Sequence, residues 1–287
     1  MLSVICPIYN EERYIEACIE SIVAQDFPKR LTSMKSEELV SIITPTYNCG
    51  RFIAETIECV LAQTYQNWEM LIVDDCSTDN TEQVVRQYND PRIKYHCLKQ
   101  NSGAAVARNE ALKMAKGRWI AFLDSDDLWT PNKLERQIEF MVANGYSFTY
   151  HEYDEIDEQG RKLGHLISGP QKISHFGMVS YCWLGCLTVI YDANTIGLIQ
   201  IPPIKKNNDY AMWLLVSQKA KCYLLKDVLA SYRKRVGSIS NHSYMSLIKW
   251  HYRLFKSITQ HGTIMCSFLT LNNLICGVIK KTIYKSK

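Results

Sequence analysis

The chain has 287 residues, 47% of them hydrophobic and 22% charged, with a net charge of +4 at neutral pH. That length allows one large domain or two small ones with a proper core, and the ordinary charge content excludes wholesale disorder. The 11 cysteines are scattered, odd in number and without a Cys-x-x-Cys pair, which argues for free thiols in a reducing cytosol rather than a disulfide framework.

The opening MLSVICPIYNEER lacks the basic flank of a secretory signal and turns polar too soon. Residues 3–27 and 41–65 form an internal repeat, with 11 of 25 positions identical, among them Pro7/Pro45, Tyr9/Tyr47, Asn10/Asn48 and Arg13/Arg51. Each copy reads as a short buried strand, a turn and an amphipathic helix. The first copy ends in FPKRLTSMKSEE, a polar linker, and only the second continues into a full domain. Residues 1–38 are therefore read as a partial repeat plus linker, with residues 1–33 a truncated remnant, a fusion or a misplaced start and Met34 a functional start.

From residue 39 strands and helices alternate. LVSIITP is a strand, and residues 51–63 form a helix with Phe52, Ile53, Thr56, Ile57, Val60 and Leu61 on one face. WEMLIVDD (68–75) is a strand that ends in two acids. CSTDNTEQVVRQY is a helix that Ser77 and Thr78 are placed to cap. IKYHCL (93–98) is a third strand, NSGAAVARNEALKMAKG a helix ended by Gly117, and RWIAFLD (118–124) a fourth strand. PNKLERQIEFMVANG is a helix bounded by Pro131 and Gly145, and YSFTYH (146–151) a fifth strand. This order predicts an α/β sheet with parallel strands and right-handed crossovers.

Ligands bind such sheets beyond the carboxyl ends of the strands. Three polar loops lie there: Pro45-Thr46-Tyr47-Asn48, Asp74-Asp75 and Asp124-Ser125-Asp126-Asp127. Two carboxylates ~4 Å apart repel by about 1 kcal/mol in water and about 4 kcal/mol near a protein surface. The acidic loop therefore needs a counter-charge or full solvation, and for the first a hard dication, Mg2+ or Mn2+, suits oxygen donors shared with phosphates. Helix capping by Asp126 or Asp127 accounts for one acid, not three.

The stretches VSIITPTYN, VDDCSTDNT, NSGAAVARNEAL and FLDSDDLWTPNKLE, in that order and spacing, resemble the family 2 glycosyltransferases with the GT-A fold over residues 39 to about 240. The resemblance implies a mixed, mainly parallel sheet flanked by helices, and an inverting, metal-dependent transfer from a nucleotide-sugar, with a UDP-sugar expected. It also implies roles by position. Pro45, Thr46 and Tyr47 would line the nucleoside pocket, and Asp75 would contact the base. Asp124 would contact ribose or sugar, and Asp126 would bind the metal. Arg108 would steady the acidic loop or approach phosphate. KKNNDYAMWLLVSQ resembles the stretch that carries the catalytic base, which falls on Asp209; Asn208 stands where that pattern usually has Glu. LKDVLASYRKRVGSIS resembles the end of the catalytic domain, with Arg233 and Arg235 facing diphosphate or lying on a strand edge. Trp183, Tyr210 and Trp213 are candidates to stack on a sugar, with core packing the commoner fate of such residues, and His151 either faces the acceptor or packs.

Residues 241–287 form a helical extension. No acid follows Asp227, and that last stretch carries ten basic residues, which leaves the rest of the chain at −6. Residues 242–260 read as a basic amphipathic helix, and TIMCSFLTLNNLICGVI (263–279) is apolar but short for a membrane span. The expected partners are a nucleotide-sugar donor, a glycan or polyprenyl-diphosphate-linked acceptor in cell-surface polysaccharide synthesis, and an anionic membrane surface. The expected location is the cytoplasm or the inner face of the cell membrane. Nucleic acid is disfavoured because the basic residues belong to no recognition module. A non-catalytic nucleotide-sugar-binding relative and a sugar-phosphate nucleotidyltransferase stay open as alternatives; for the latter, PTYNCGRF is a poor Gly-rich basic loop.

Overall fold

The computed structural model describes residues 38–235, 244–259, 261–283 and 285–286. The first copy of the repeat and Met34 lie outside the described residues. One mixed sheet of eleven strands organises the remainder. Its nucleus is parallel. Strand β1 (Val40–Thr46) lies between β2 (Trp68–Asp74) and β4 (Trp119–Phe122), and β3 (Ile93–Cys97) extends it beyond β2. β1 and β2 are buried along their whole length, as the continuous apolar runs require of strands covered on both faces.

Helices α1 (Ile53–Leu61), α2 (Thr81–Val85), α3 (Ala104–Met114) and α4 (Lys133–Asn144) make the connections. Gly145 closes α4 in the left-handed conformation, φ 66°, a position that favours glycine. Gly117 lets the chain pass against β1: a Cβ there would stand 2.5 Å from the Ser41 amide nitrogen. Helix α2 is shorter than the sequence pattern suggests and starts later, with Asn80 as its N-cap, because Ser77 bonds Asp74 and the Thr78 amide bonds Asn48 instead of capping it.

Beyond β4 the sheet becomes mixed. A two-residue strand β5 (Leu128–Trp129) follows the acidic loop, and β6 (Phe148–Ile156), β7 (Lys162–Ile167) and β8 (Lys172–Ile173) follow α4. β6 starts two residues later and runs five residues further than the pattern of YSFTYH indicates. The short helices α5 (His175–Ser180) and α6 (Ala193–Ile196) flank β9 (Ile190–Asp192), which runs antiparallel between β4 and β6. Helix α7 (Asn208–Ser217) leads into β10 (Cys222–Arg233), which pairs parallel with β6 and antiparallel with β5 and β8. Helices α8 (Tyr244–Thr259) and α9 (Thr263–Ile283) complete the helical extension, and β11 (Lys285–Ser286) pairs with β7.

Tyr210 and Trp213 of α7 are core residues and not sugar platforms: Trp213 packs edge-on to Phe122 at 5.0 Å, and Tyr210 packs against His251 and Phe255. Trp183 donates from Nε1 to the Gly177 carbonyl. His151 is buried within β6, where it packs.

Candidate active site

Parallel pairing delivers three strand ends to one edge. Thr46 stands opposite Asp74 in register, and the Leu123 amide donates to Ile43 O, so the acidic loop leaves β4 beside β1. The first loop is fastened to the second. Asn48, with φ 49°, accepts the Thr78 amide on Oδ1 at 2.8 Å, and its own amide donates to Ser77 Oγ at 2.8 Å. The Cys49 and Gly50 amides donate to Thr81 Oγ1 and Asp79 Oδ2. Pro45 and Thr46 are buried behind this seam, whereas Tyr47 is 46% exposed.

The two acids after β2 have separate tasks. Asp74 accepts from Ser77 and from the Tyr95 hydroxyl, which makes it a turn residue. Asp75 accepts the Ser102 and Gly103 amides at 2.6 and 2.7 Å, one on each carboxylate oxygen. It thereby ties the end of β2 to the start of α3, where orphan amides and the helix dipole favour an anion.

The acidic loop finds its counter-charges within the protein. Asp124, 35% exposed, accepts Arg108 Nη2 at 2.9 Å. Asp126 pairs through Oδ2 with Arg235 Nε at 2.8 Å. Asp127 accepts the Arg233 amide at 2.9 Å on Oδ1, while its buried Oδ2 has no partner. Burial pushes the Asp127 carboxyl well above the usual range, and the neighbouring Asp126 and Asp124 push it further. Burial also raises Asp126, with Arg235 opposing. Neither acid caps α4, whose N-cap is Asn132.

Arg233 is not a strand-edge surface residue. Its side chain is fully buried, donating to Asp126 O, Glu158 O and Glu55 Oε2. Its guanidinium is thus committed to holding the acidic loop rather than free for a diphosphate. Phe52 lies under both cations, 5.1 Å from Arg233 and 5.8 Å from Arg235.

Arg108 is the joint of the site. It projects from α3, is 4% exposed, and bonds both Asp124 and the Asn208 side chain, with Cys186 Sγ 3.7 Å away. Asp209, next in sequence and half-buried at the start of α7, lies in the field of the same guanidinium. Burial raises the Asp209 carboxyl above its ordinary range; Arg108 opposes this and the Asp124 carboxylate adds to it. Asn208 therefore supplies a neutral acceptor to Arg108 where an acid would compete for the same charge. That role, and the clamp made by Arg233, have no local signal in the sequence, because the partners lie 100 and more residues apart.

Among the described residues no group of three or more His, Cys, Asp or Glu is arranged to hold a metal by itself. Mg2+ and Mn2+ sites built with phosphates use one or two carboxylates plus water. Asp126 and Asp124, both partly exposed hard-oxygen donors on one turn, fit a dication of that kind.

Residues 41–189 match the family model described as "Glycosyl transferase family 2". The chain is 42% identical over 252 residues to a putative teichuronic acid biosynthesis glycosyltransferase, TuaG, of Bacillus subtilis, covering 87% of this chain and 85% of that protein. It is 39% identical over 282 residues to a UDP-Glc:α-D-GlcNAc-diphosphoundecaprenol β-1,3-glucosyltransferase, WfgD, of Escherichia coli, covering 98% of this chain and 94% of that protein. Among solved structures, S. aureus TarS 1–349 in complex with UDP-GlcNAc superposes with a TM-score of 0.65 at 23% identity, covering 83% of this chain and 71% of that one. With a family model matching half of its length and relatives of this identity along most of it, the chain belongs to glycosyl transferase family 2.

Proposed function

We propose that the protein transfers a sugar from a UDP-sugar to a hydroxyl of a glycan or polyprenyl-diphosphate-linked acceptor, with inversion, in cell-surface polysaccharide synthesis. The observation that carries this reading is Arg108, which joins Asp124 at the end of β4 to the Asn208-Asp209 pair that opens α7. Donor-binding and proton-accepting groups then share one buried cation. Residues 39–240 carry the reaction, on the cytoplasmic side of the cell membrane. Relatives named for teichuronic acid synthesis and for a diphosphoundecaprenol-linked acceptor support the pathway and the acceptor class.

In this reading Pro45, Thr46, Tyr47 and Asp75 line the nucleoside pocket, and Asp124 contacts ribose or sugar. Asp126 holds Mg2+ or Mn2+, which when bound supplies positive charge against the charge growing on the departing diphosphate. Asp209 removes the proton of the acceptor hydroxyl as that oxygen attacks the anomeric carbon from the face opposite the nucleotide. A base whose pKa is raised toward the working pH is the better proton acceptor. One such base suffices, in contrast to the two carboxylates of typical glycoside hydrolases.

The test is a transfer assay with a panel of UDP-sugars and a GlcNAc-diphosphate-lipid acceptor, with the anomeric configuration of the product read by NMR. The expected product has the configuration opposite to the donor and forms only with Mg2+ or Mn2+. A retained configuration, or transfer that persists in excess chelator, contradicts the reading. Nucleotide binding without turnover on any donor would mark a non-catalytic relative.

A further inference from the structure

Helix α9 is built inside out. Its protein-facing side carries Cys266, Thr270 and Asn273, all buried. Asn273 Nδ2 donates to the Tyr210 hydroxyl at 2.8 Å, and Gly277 packs so closely on Tyr181 that a Cβ would stand 2.9 Å from the ring. Its outer side carries Ile264, Met265, Phe268, Leu271, Ile275 and Val278, exposed by 47% to 88%. Apart from Met265 at its edge, spacings of three and four place these on one stripe, opposite the buried one. A helix covering a protein in water normally turns its amides outward and its large aliphatics inward. A contiguous exposed apolar stripe of this kind marks an interaction surface.

The charge beside the stripe says what covers it. Helix α8 packs alongside α9, and a groove of about 430 Å³ opens between them, lined by Ile248, Lys249, Tyr252, Arg253, Leu271 and Leu274 among others. Lys249, Arg253 and Lys256 are exposed. Lys280 and Lys281 follow the stripe in sequence, and the chain has no acid after Asp227. A second copy would set these cations against its own. A bilayer with anionic headgroups would meet the cations with phosphates and the stripe with acyl chains. No helix among the described residues is long and apolar enough to cross a membrane, so the matching geometry is a helix lying in the interface.

We infer that the outer stripe of α9, with the basic groove beside it, docks this protein onto an anionic lipid bilayer. The inner side of the same helix holds Tyr210, the neighbour of Asp209, through Asn273. The docked helix is thus one side chain from the start of α7. The inference rests on the two helices alone and not on the proposed transfer reaction.

The experiment is flotation of the full chain with vesicles of phosphatidylcholine alone or with roughly 30% phosphatidylglycerol, at about 0.1 M salt. The full chain is expected to float with the anionic vesicles, about tenfold more tightly than with neutral ones, and to be released by high salt. The double substitution Phe268→Asp, Leu271→Asp changes exposed side chains and should leave the melting temperature unchanged while lowering vesicle affinity by at least about tenfold. Lys249→Glu with Arg253→Glu should abolish the preference for anionic lipid. Failure of the wild-type chain to float overturns the inference. So does a dimer, seen by light scattering, that Phe268→Asp, Leu271→Asp disperses while vesicles stay unbound. Neither donor nor acceptor enters this assay, so its failure is separable from failure of the transfer reading.

Discussion

Replacing Asp209 with Asn is expected to slow sugar transfer by about 100- to 10,000-fold, the usual range for loss of a positioned general base. UDP affinity should stay within about twofold, because a binding-only role would move KM and not kcat. The pH profile supplies a second check. A base works only when deprotonated, so kcat/KM should fall as pH drops through the Asp209 pKa. Burial raises that pKa, and the Asp124 carboxylate adds to the rise. The acidic limb should therefore lie above the ordinary Asp value of about 3.9. Asp209→Glu should keep a titrating limb with reduced turnover. Near-normal kcat in Asp209→Asn would remove this residue from the mechanism.

Replacing Arg108 with Ala should have the second large effect, on stability as well as rate. The substitution leaves Asp124 and Asn208 without their donor. Removing one member of a buried ion pair costs about 3–5 kcal/mol. Asp124 is partly exposed and recovers some hydration, so the lower end, about 3 kcal/mol, is expected by denaturant titration. Loss of the cation also takes away what holds the Asp209 pKa down, so the acidic limb should move to higher pH. Arg108→Lys should restore part of the stability and little of the rate, because an ammonium on a flexible stem does not reproduce the guanidinium fork that reaches Asp124 and Asn208 together. An Arg108→Ala enzyme with unchanged stability and an unmoved pH limb would reduce Arg108 to a bystander.

The parallel nucleus was legible because β1, β2 and β4 are short apolar runs that end at or just before Pro or Asp, and each strand is followed by a helical face. β1, β2 and β3 fall within one or two residues of their expected limits. The mixed half was less legible. β9 has three residues and β5 two, too few for any periodicity to register. Helix α7 is buried nearly all round, so it lacks the one-sided stripe that marks a surface helix, and its start was visible only through family likeness. At the site, the acidic loop announced a need for positive charge through the crowding of Asp124, Asp126 and Asp127. What no local pattern could convey was that Arg233 and Arg235 come from the far end of the domain to meet it, whereas Arg108, 16 residues before Asp124, was expected there from the resemblance. Arg233 illustrates the limit: an arginine at the end of a strand reads as surface or ligand-facing, and only the tertiary fold buries it against Glu55.

In the proposed reaction these aspartates receive a diphosphate through a hard dication, with the internal arginines balancing what remains. Calorimetric titration of UDP in the presence and absence of Mn2+, on the wild-type chain and on Asp126→Ala, tests it most directly. Heat of binding is expected for the wild type with Mn2+, much weaker binding in chelator, and no metal dependence in Asp126→Ala. Equal UDP affinity with and without the dication, or metal-dependent binding that survives in Asp126→Ala, would contradict it.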